Sequence, residues 1–244
     1  MNWYESWFDS PYYPILYQQR DEQEAAAFIA RLLNRLELPR ESHVLDMACG
    51  RGRHARCMAA LGMRVTGIDL SEPSLLDAQA QPMPGLAYLR HDMREPLTTQ
   101  GFDGVMNLFT SFGYFEDPDD DRRVIRTALT ALRPGGFFVL DYLNIHSVLP
   151  QLPARETVVS AGIRFSIHRH HVHPWILKDI GVQGPDRSLH FQEKIRCYSP
   201  ADLADMLTAS GFRVKAHLGD YHLNPPSESA PRALFICTKP ETAA

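Results

Sequence analysis

Apolar residues along this chain change period several times, and each change marks an element. Between Asp21 and Leu36, Ala25, Phe28, Ile29, Leu32, Leu33 and Leu36 recur at helical spacing and predict an amphipathic helix. Short apolar runs follow: Val44-Leu45 closing on Asp46, Met63 to Asp69, Leu86 to Arg90, Phe102 to Asn107 and Phe137 to Asp141. They read as strands separated by helix-compatible segments, the first from His54 to Leu61 and a later one opening near Asp120. Alternation of this kind over residues 22–141 predicts a doubly wound parallel sheet. After Asp141 the period shortens. Thr157–Val159, Ile163–Ile167, Trp175–Leu177, Leu189–Phe191 and Lys194–Arg196 carry β-type residues around turn signals, of which Gly184-Pro185-Asp186-Arg187 is the clearest. We expect an antiparallel insertion of three or four strands overhanging the carboxyl edge of the sheet. Ser199, Pro200 and Asp202 start a last helix as N-cap, first-turn proline and dipole-facing acid, and Gly211 ends it. Phe212–Leu218 and Ala233–Thr238 are expected to form a closing antiparallel pair.

The expected organisation is therefore an N-terminal aromatic arm and helix over 1–40, a core over 41–150 and 199–244, and an antiparallel cap over 151–198. Residues 1–20 hold Trp3, Tyr4, Trp7, Phe8, Tyr12, Tyr13 and Tyr17, and Pro11 and Pro14 keep a long helix from starting before Ile15. Such an arm either packs over one end of the sheet or forms a lid over a site.

Composition adds exclusions. A chain of 244 residues with 44% hydrophobic and 22% charged positions fits one soluble domain with an inserted cap. A net charge of -4 argues against a nucleic-acid partner, and no apolar stretch approaches the ~20 residues of a membrane span. Cys49, Cys57, Cys197 and Cys237 have no paired spacing and read as reduced thiols. The first residues carry no signal-peptide pattern, so a cytoplasmic location is the expectation.

The candidate chemistry lies in Val44-Leu45-Asp46-Met47-Ala48-Cys49-Gly50-Arg51-Gly52-Arg53-His54-Ala55. A strand ends in an acid, a two-glycine turn lets the backbone approach a ligand closely, and a helix behind it presents its first free N–H groups. Gly50-x-Gly52-x-x-Ala55 formally fits the dinucleotide fingerprint, with Asp69 near the ~20-residue offset of a ribose-binding acid. In a dinucleotide fold, however, the glycines follow the strand directly, whereas Asp46-Met47-Ala48-Cys49 intervenes here. A carboxylate at this place suits a ligand bearing an amino cation and a sulfonium. The segment resembles the first motif of class I S-adenosylmethionine-dependent methyltransferases, L-D-x-[GA]-[CT]-G-x-G. The later strands, and the Arg133-Pro134-Gly135-Gly136 turn, arrive in that family's order.

The resemblance implies a Rossmann-like α/β fold: a seven-stranded, mostly parallel sheet of order 3-2-1-4-5-7-6, here with the antiparallel insertion as a cap. It implies S-adenosyl-L-methionine as cofactor, leaving as S-adenosyl-L-homocysteine. Asp46, Ala48, Cys49, Gly50 and Gly52 would form the loop beneath it, Asp69 and Leu70 its ribose contacts, Asp92 and Met93 its adenine contacts, and Asn107 would close the fourth strand. Tyr17 and Arg20 would hold the methionine carboxylate, as in relatives with a similar Tyr-rich entry ending in Arg20-Asp21. The acceptor would meet Tyr12, Tyr13, Phe109, Phe112, Tyr142 and Arg232, with Arg232 either holding an anionic group or pairing with an acid across a hairpin. Tyr114 is the first choice as general base, with His91 and His146 as alternatives on cleft-facing loops.

Three further features have plainer readings. Asn224-Pro225-Pro226-Ser227 resembles the N-P-P-aromatic motif of planar-amine methyltransferases but lies after the wrong strand and lacks the aromatic. Glu116-Asp117-Pro118-Asp119-Asp120-Asp121 fits a helix start better than a calcium loop. His168-Arg169-His170-His171-Val172-His173 has no visible second shell, so no metal is expected and the histidines read as solvated or cavity-lining. The favoured function is methyl transfer to N, O or C of a small-molecule acceptor by a monomer or homodimer. A non-catalytic cofactor-binding scaffold and a nicotinamide oxidoreductase are the alternatives.

Overall fold

A computed structural model describes residues 2–18, 22–184 and 187–241. Two short helices, α1 (Trp3–Phe8) and α2 (Tyr12–Leu16), precede α3 (Glu22–Leu36), which buries Ala25, Phe28, Ile29, Leu32, Leu33 and Leu36. The alternating segment follows as β1 (His43–Met47), α4 (Arg53–Ala60), β2 (Arg64–Asp69), α5 (Glu72–Gln79), β3 (Leu86–Arg90), β4 (Phe102–Asn107), α6 (Pro118–Ala131) and β5 (Leu132–Leu143). A short α7 (Ile145–Val148) leads to β6 (Ala154–Ser160), β7 (Ile163–Val172), β8 (Trp175–Gln183) and β9 (Ser188–Arg196). The chain returns through α8 (Pro200–Ala209), β10 (Arg213–Leu218) and β11 (Arg232–Thr238).

The large sheet runs β3-β2-β1-β4-β5-β11-β10, parallel from β3 to β5, with β11 antiparallel to both its neighbours. Four inserted strands separate β5 from β10, which is why the last pair carries high numbers; counted within this sheet alone, the order is 3-2-1-4-5-7-6. Strand side chains alternate between faces. Leu45, Met47, Val105, Phe138, Leu140, Phe235 and Cys237 join α6 and α8 on one side. Val44, Val65, Met106, Val139, Leu234 and Ile236 join α3 and α4 on the other. The α3 helix, expected with the arm over 1–40, is thus part of the sheet's own covering layer.

The inserted strands form a separate antiparallel sheet, β6-β7-β8-β9. One of its faces, Phe165, Ile167, Ile180 and Val182, buries Trp7 and Leu16 of the arm in a third apolar cluster. At α6 the helix begins at Pro118, two residues ahead of Asp120, because the Asp117 carboxylate accepts the Asp119 N–H at 2.9 Å and Pro118 occupies the first turn. At α8 the expected cap forms fully: Ser199 Oγ accepts the Asp202 N–H at 3.1 Å, and the Asp202 carboxylate accepts the Ser199 N–H at 2.8 Å.

Candidate active site

A cleft of about 1220 Å³ lies over the carboxyl ends of the parallel strands, walled on its far side by α1, α2 and the inserted sheet. A single small-molecule site occupies roughly 300–1,000 Å³, so this space holds two small ligands side by side.

The floor is the loop after β1. Ala48 and Gly50 take left-handed backbone angles (φ 61 and 53), turning the chain under the cleft. The Gly50 N–H donates to Asp69 Oδ2 at 2.7 Å and the Ser71 N–H to Asp69 Oδ1 at 2.8 Å, so Asp69 stitches the glycine loop to the end of β2. Each oxygen keeps a lone pair for a ligand hydroxyl. Below them Asp46 is buried; one oxygen takes the Ala55 N–H and the other has no partner among the described residues. Burial, with Asp69 nearby, pushes the Asp46 carboxyl up to about 7. A buried carboxyl of this kind, open on one oxygen, is suited to a ligand carrying positive charge. Cys49 borders the cleft, but burial and the two acids raise its thiol well above the ordinary range, which keeps it protonated and unreactive.

Leu70, Asp92 and Met93 continue the wall. Asp92 accepts three hydrogen bonds from the Arg94 guanidinium (Nε at 3.1 and 3.2 Å, Nη2 at 2.6 Å), and Arg94 also reaches Asp120 at 2.8 Å and covers the Phe115 ring at 4.6 Å. Burial opposes the charge on Asp92, but the bonds from Arg94 outweigh it and hold the carboxyl below its usual range.

The opposite wall comes from the loop after β4 and from the arm. Phe109 and Tyr114 face the cleft. The Tyr114 hydroxyl donates to the Thr110 carbonyl at 2.6 Å, and its ring packs edge-on to Trp3 with centroids 5.2 Å apart. Trp3 Nε1 donates to the Tyr114 carbonyl at 3.3 Å, so the first helix clamps this loop. Beneath it, Asp121 is fully buried, accepting from Tyr198 Oη at 2.8 Å and the Gly113 N–H at 3.2 Å, and burial pushes its carboxyl up to about 7.

A polar cluster missing from the sequence reading closes the cap side. Trp7 Nε1 and Tyr17 Oη both donate to Glu193 Oε1 at 2.6 Å, while the buried Lys178 ammonium donates to Tyr17 Oη and lies 3.5 Å from Glu193 Oε2. Tyr13, Tyr17, Lys178 and Glu193 all border the cleft. Arg232 borders it too, and donates to Asp141 Oδ1 at 2.8 Å through Nε and to Thr110 Oγ1 at 2.8 Å through Nη2. The geometry builds an ion pair, but with Asp141 of the neighbouring β5 and not with an acid across the β10–β11 hairpin as expected.

Six expected site residues stand off the cleft lining: Asp46, buried beneath the floor, and five others. A Cβ on Gly52 (φ 76) would run into the Tyr88 hydroxyl, so packing behind the loop already calls for glycine there. Asn107 is buried, its amide donating to Met47 O at 3.3 Å and Ser111 O at 3.1 Å as a strut between strand ends. Phe112 and Tyr142 are buried in the core, with Tyr142 Oη donating to Arg196 O at 2.5 Å. Tyr12 turns to the inserted sheet, where Arg187 Nε donates to its hydroxyl at 3.3 Å. Arg20 lies outside the described residues. Of the two histidines expected on the cleft, His91 borders it, with Nε2 2.9 Å from Glu95 O, and His146 does not.

Asp46 and Asp121 carry a testable pH dependence. Their folded pKa values of about 7 exceed the unfolded 3.8, so the folded chain binds more protons between these limits. Their contribution to stability is therefore complete below the unfolded value and is lost as pH rises through the folded one. We expect Asp46→Asn to gain melting temperature relative to the ligand-free parent as pH rises from 5 to 8. A constant difference across that range would refute the raised value.

A methyltransferase-domain family model matches residues 44–136, which hold the loop, the acids Asp46, Asp69 and Asp92 and the return to β5. YqeM of Bacillus subtilis, a protein named as a methyltransferase, is 27% identical over 84% of this chain and 87% of its own. A dTDP-3-amino-3,4,6-trideoxy-alpha-D-glucopyranose N,N-dimethyltransferase of Streptomyces venezuelae is 30% identical over 53% of this chain and 54% of its own. Among solved structures, an S-adenosylmethionine-dependent methyltransferase from Clostridium acetobutylicum superposes with a TM-score of 0.79 over 94% of this chain and 96% of that one, at 16% identity. With its strand order, its acid-terminated first strand and its glycine loop, the chain is similar to the class I S-adenosylmethionine-dependent methyltransferases and carries a methyltransferase domain over residues 44–136.

Proposed function

We propose that the chain transfers a methyl group to an amine of a small polar acceptor held between the Phe109–Tyr114 loop and the inserted sheet. The observation that carries this reading is the continuity of the cleft, in which Asp69, Asp92 and the Tyr17–Lys178–Glu193 cluster line one space large enough for two ligands, with Asp46 buried beneath its floor. S-adenosylmethionine, when bound, supplies a methyl already activated on a sulfonium. The residues fit such a group. The open oxygen of Asp46 answers its positive charge, Asp69 has lone pairs for two ribose hydroxyls, and Leu70, Asp92 and Met93 border the adenine end. Ala48, Cys49 and Gly50 bring backbone close beneath it.

The protein's work is then to position the acceptor and exclude water. Phe109, Tyr13 and Tyr114 bring aromatic rings to the cleft, the Phe109 ring already carrying the Arg53 guanidinium at 4.9 Å, and such rings attract the charge developing on a methylated amine by ~0.5–2 kcal/mol. Tyr114 donates its proton to Thr110 O, so toward a substrate N–H its oxygen can act only as hydrogen-bond acceptor, a contact that would aim the nitrogen lone pair. The arm of α1 and α2 and the inserted sheet act here as lid and cap over a core formed by α3 with 41–150 and 199–241. The amino-sugar activity named for the Streptomyces venezuelae relative supports an amine acceptor. The net charge of -4 supports a small molecule over a nucleic acid, and no described helix is long and apolar enough to cross a membrane. We place the enzyme in the cytoplasm as a monomer or homodimer.

A labelled-methyl screen over small amines, alcohols and phenols tests the reading; label in amines supports it, and label confined to hydroxyl acceptors overturns the amine. Binding of S-adenosylhomocysteine with transfer to no acceptor would favour a scaffold instead. With a responsive amine, Tyr114→Phe should lower kcat roughly 3–10-fold, the value of one hydrogen bond, while S-adenosylhomocysteine affinity stays unchanged. Equal turnover would remove Tyr114 from the acceptor site.

A further inference from the structure

On the face of the inserted sheet opposite the cleft, two histidines of β7 meet an acid of β8. His168 sits directly across from Asp179 in the ladder and His170 is two residues along, so both project to the side that Lys178 and Arg169 do not. One ligand atom from each of His168, His170 and Asp179 lies within 4.8 Å of the others. His170 Nδ1 is 3.4 Å from Asp179 Oδ2, yet that buried nitrogen makes no hydrogen bond. The two atoms approach without a proton aligned between them, as donors do when they point at a shared third atom. Tetrahedral zinc, with Zn–N and Zn–O bonds of about 2.0–2.2 Å, separates two ligand atoms by roughly 3.4 Å.

We propose that His168, His170 and Asp179 form a zinc site on the outer face of the cap, with His190 of β9 as its fourth ligand. His168 Nδ1 stands 4.0 Å from Asp179 Oδ2 and needs only a small closure. The rings of His168 and His170 are stacked with centroids 4.8 Å apart, so both can turn a nitrogen to one point. His190 Nε2 lies 3.8 Å from the second oxygen, Asp179 Oδ1, and its side chain is 65% exposed, free to swing inward. Gln192 Nε2 donates to Asp179 Oδ1 at 2.8 Å and fixes the carboxylate from behind, the outer support that metal-ligating groups usually have. Arg155, across from His168 on β6, is exposed, so its charge is screened by solvent. A neutral-imidazole and carboxylate set suits zinc better than magnesium or calcium, which prefer oxygen. The ion would tie β7 to β8 and β9 directly behind Arg169, Lys178 and Glu193, stiffening the acceptor wall.

The test is titration of the untagged, chelator-treated full chain with Co²⁺, read by its visible absorption, followed by displacement with Zn²⁺. The proposal expects one equivalent of Co²⁺ with the intense spectrum of four-coordination, lost stoichiometrically to Zn²⁺. His170→Ala should weaken binding by at least about tenfold, and Zn²⁺ should raise the melting temperature of the parent but not of this variant. His171→Ala, on the other face, should bind as the parent does. Should His170→Ala unfold, Asp179→Asn, close to the parent in shape, is expected to show the same loss. A weak octahedral spectrum, or equal binding by the His170 and His171 variants, would overturn the site.

Discussion

Replacing Asp69 with alanine is expected to weaken S-adenosylhomocysteine binding by roughly 10²–10⁴-fold, two bonds to a charged group at ~1.5–3 kcal/mol each. The expectation rests on where the carboxylate already is. Its two oxygens hold the Gly50 and Ser71 N–H groups at 2.7 and 2.8 Å, so it aims its remaining lone pairs while fixing the loop the ligand lies on. Alanine removes both functions. Asparagine separates them: its single carbonyl oxygen can keep one backbone bond, and its NH₂ faces the other N–H donor. Asp69→Asn should therefore lie between parent and alanine, while its melting temperature stays closer to the parent. Calorimetry with S-adenosylhomocysteine measures all three, and parental affinity in Asp69→Ala would remove this residue from the cofactor site.

How much of this was legible in the sequence depended on whether a residue's partners were near it in the chain. The loop from Asp46 to Gly52 and the acid at Asp69 were readable because a parallel sheet places consecutive strand ends side by side, so motif order is also spatial order. The cap of α8 was readable because Ser199 and Asp202 satisfy each other locally. Lys178 and Glu193 went unread, although a trace was present. In β8, Lys178 falls on the same alternating positions as Ile176, Ile180 and Val182, which are buried. In β9, Glu193 falls between Phe191 and Ile195 on the cleft-facing side. A charged residue on the apolar phase of a strand has to be paired or functional. Phe112 and Tyr142 failed in the opposite sense, since a loop or strand-end aromatic can turn into the core, and sequence does not say which way. The nearness of Asp179 to the histidine run was hidden because it arises only through the β7–β8 register.

Arg232→Ala is expected to cost about 3–5 kcal/mol, the usual penalty for stripping one partner from a buried ion pair. For a chain of this length that corresponds to a fall of roughly 6–20 °C in melting temperature. Asp141, the partner, is fully buried, and its Oδ2 also accepts the Phe109 N–H at 2.7 Å and the Tyr221 hydroxyl at 2.9 Å. Its main-chain carbonyl takes the Thr110 N–H at 3.0 Å. Phe109 and Thr110 are consecutive non-glycine residues at φ 61 and 62, a conformation costing on the order of 1–3 kcal/mol each unless the surroundings impose it. Asp141 is what imposes it, and Arg232, bonded to both Asp141 and Thr110, holds the acid in place. Stability and site geometry can accordingly be pulled apart. An apolar pair of similar volume, Arg232→Met with Asp141→Leu, leaves no unpaired charge and should recover much of the lost melting temperature. It also releases the Phe109 N–H and relaxes the loop, so methyl transfer should stay impaired while S-adenosylhomocysteine still binds. Recovery of stability and turnover together would mean that the loop holds its shape without Asp141, and that the ion pair serves folding alone.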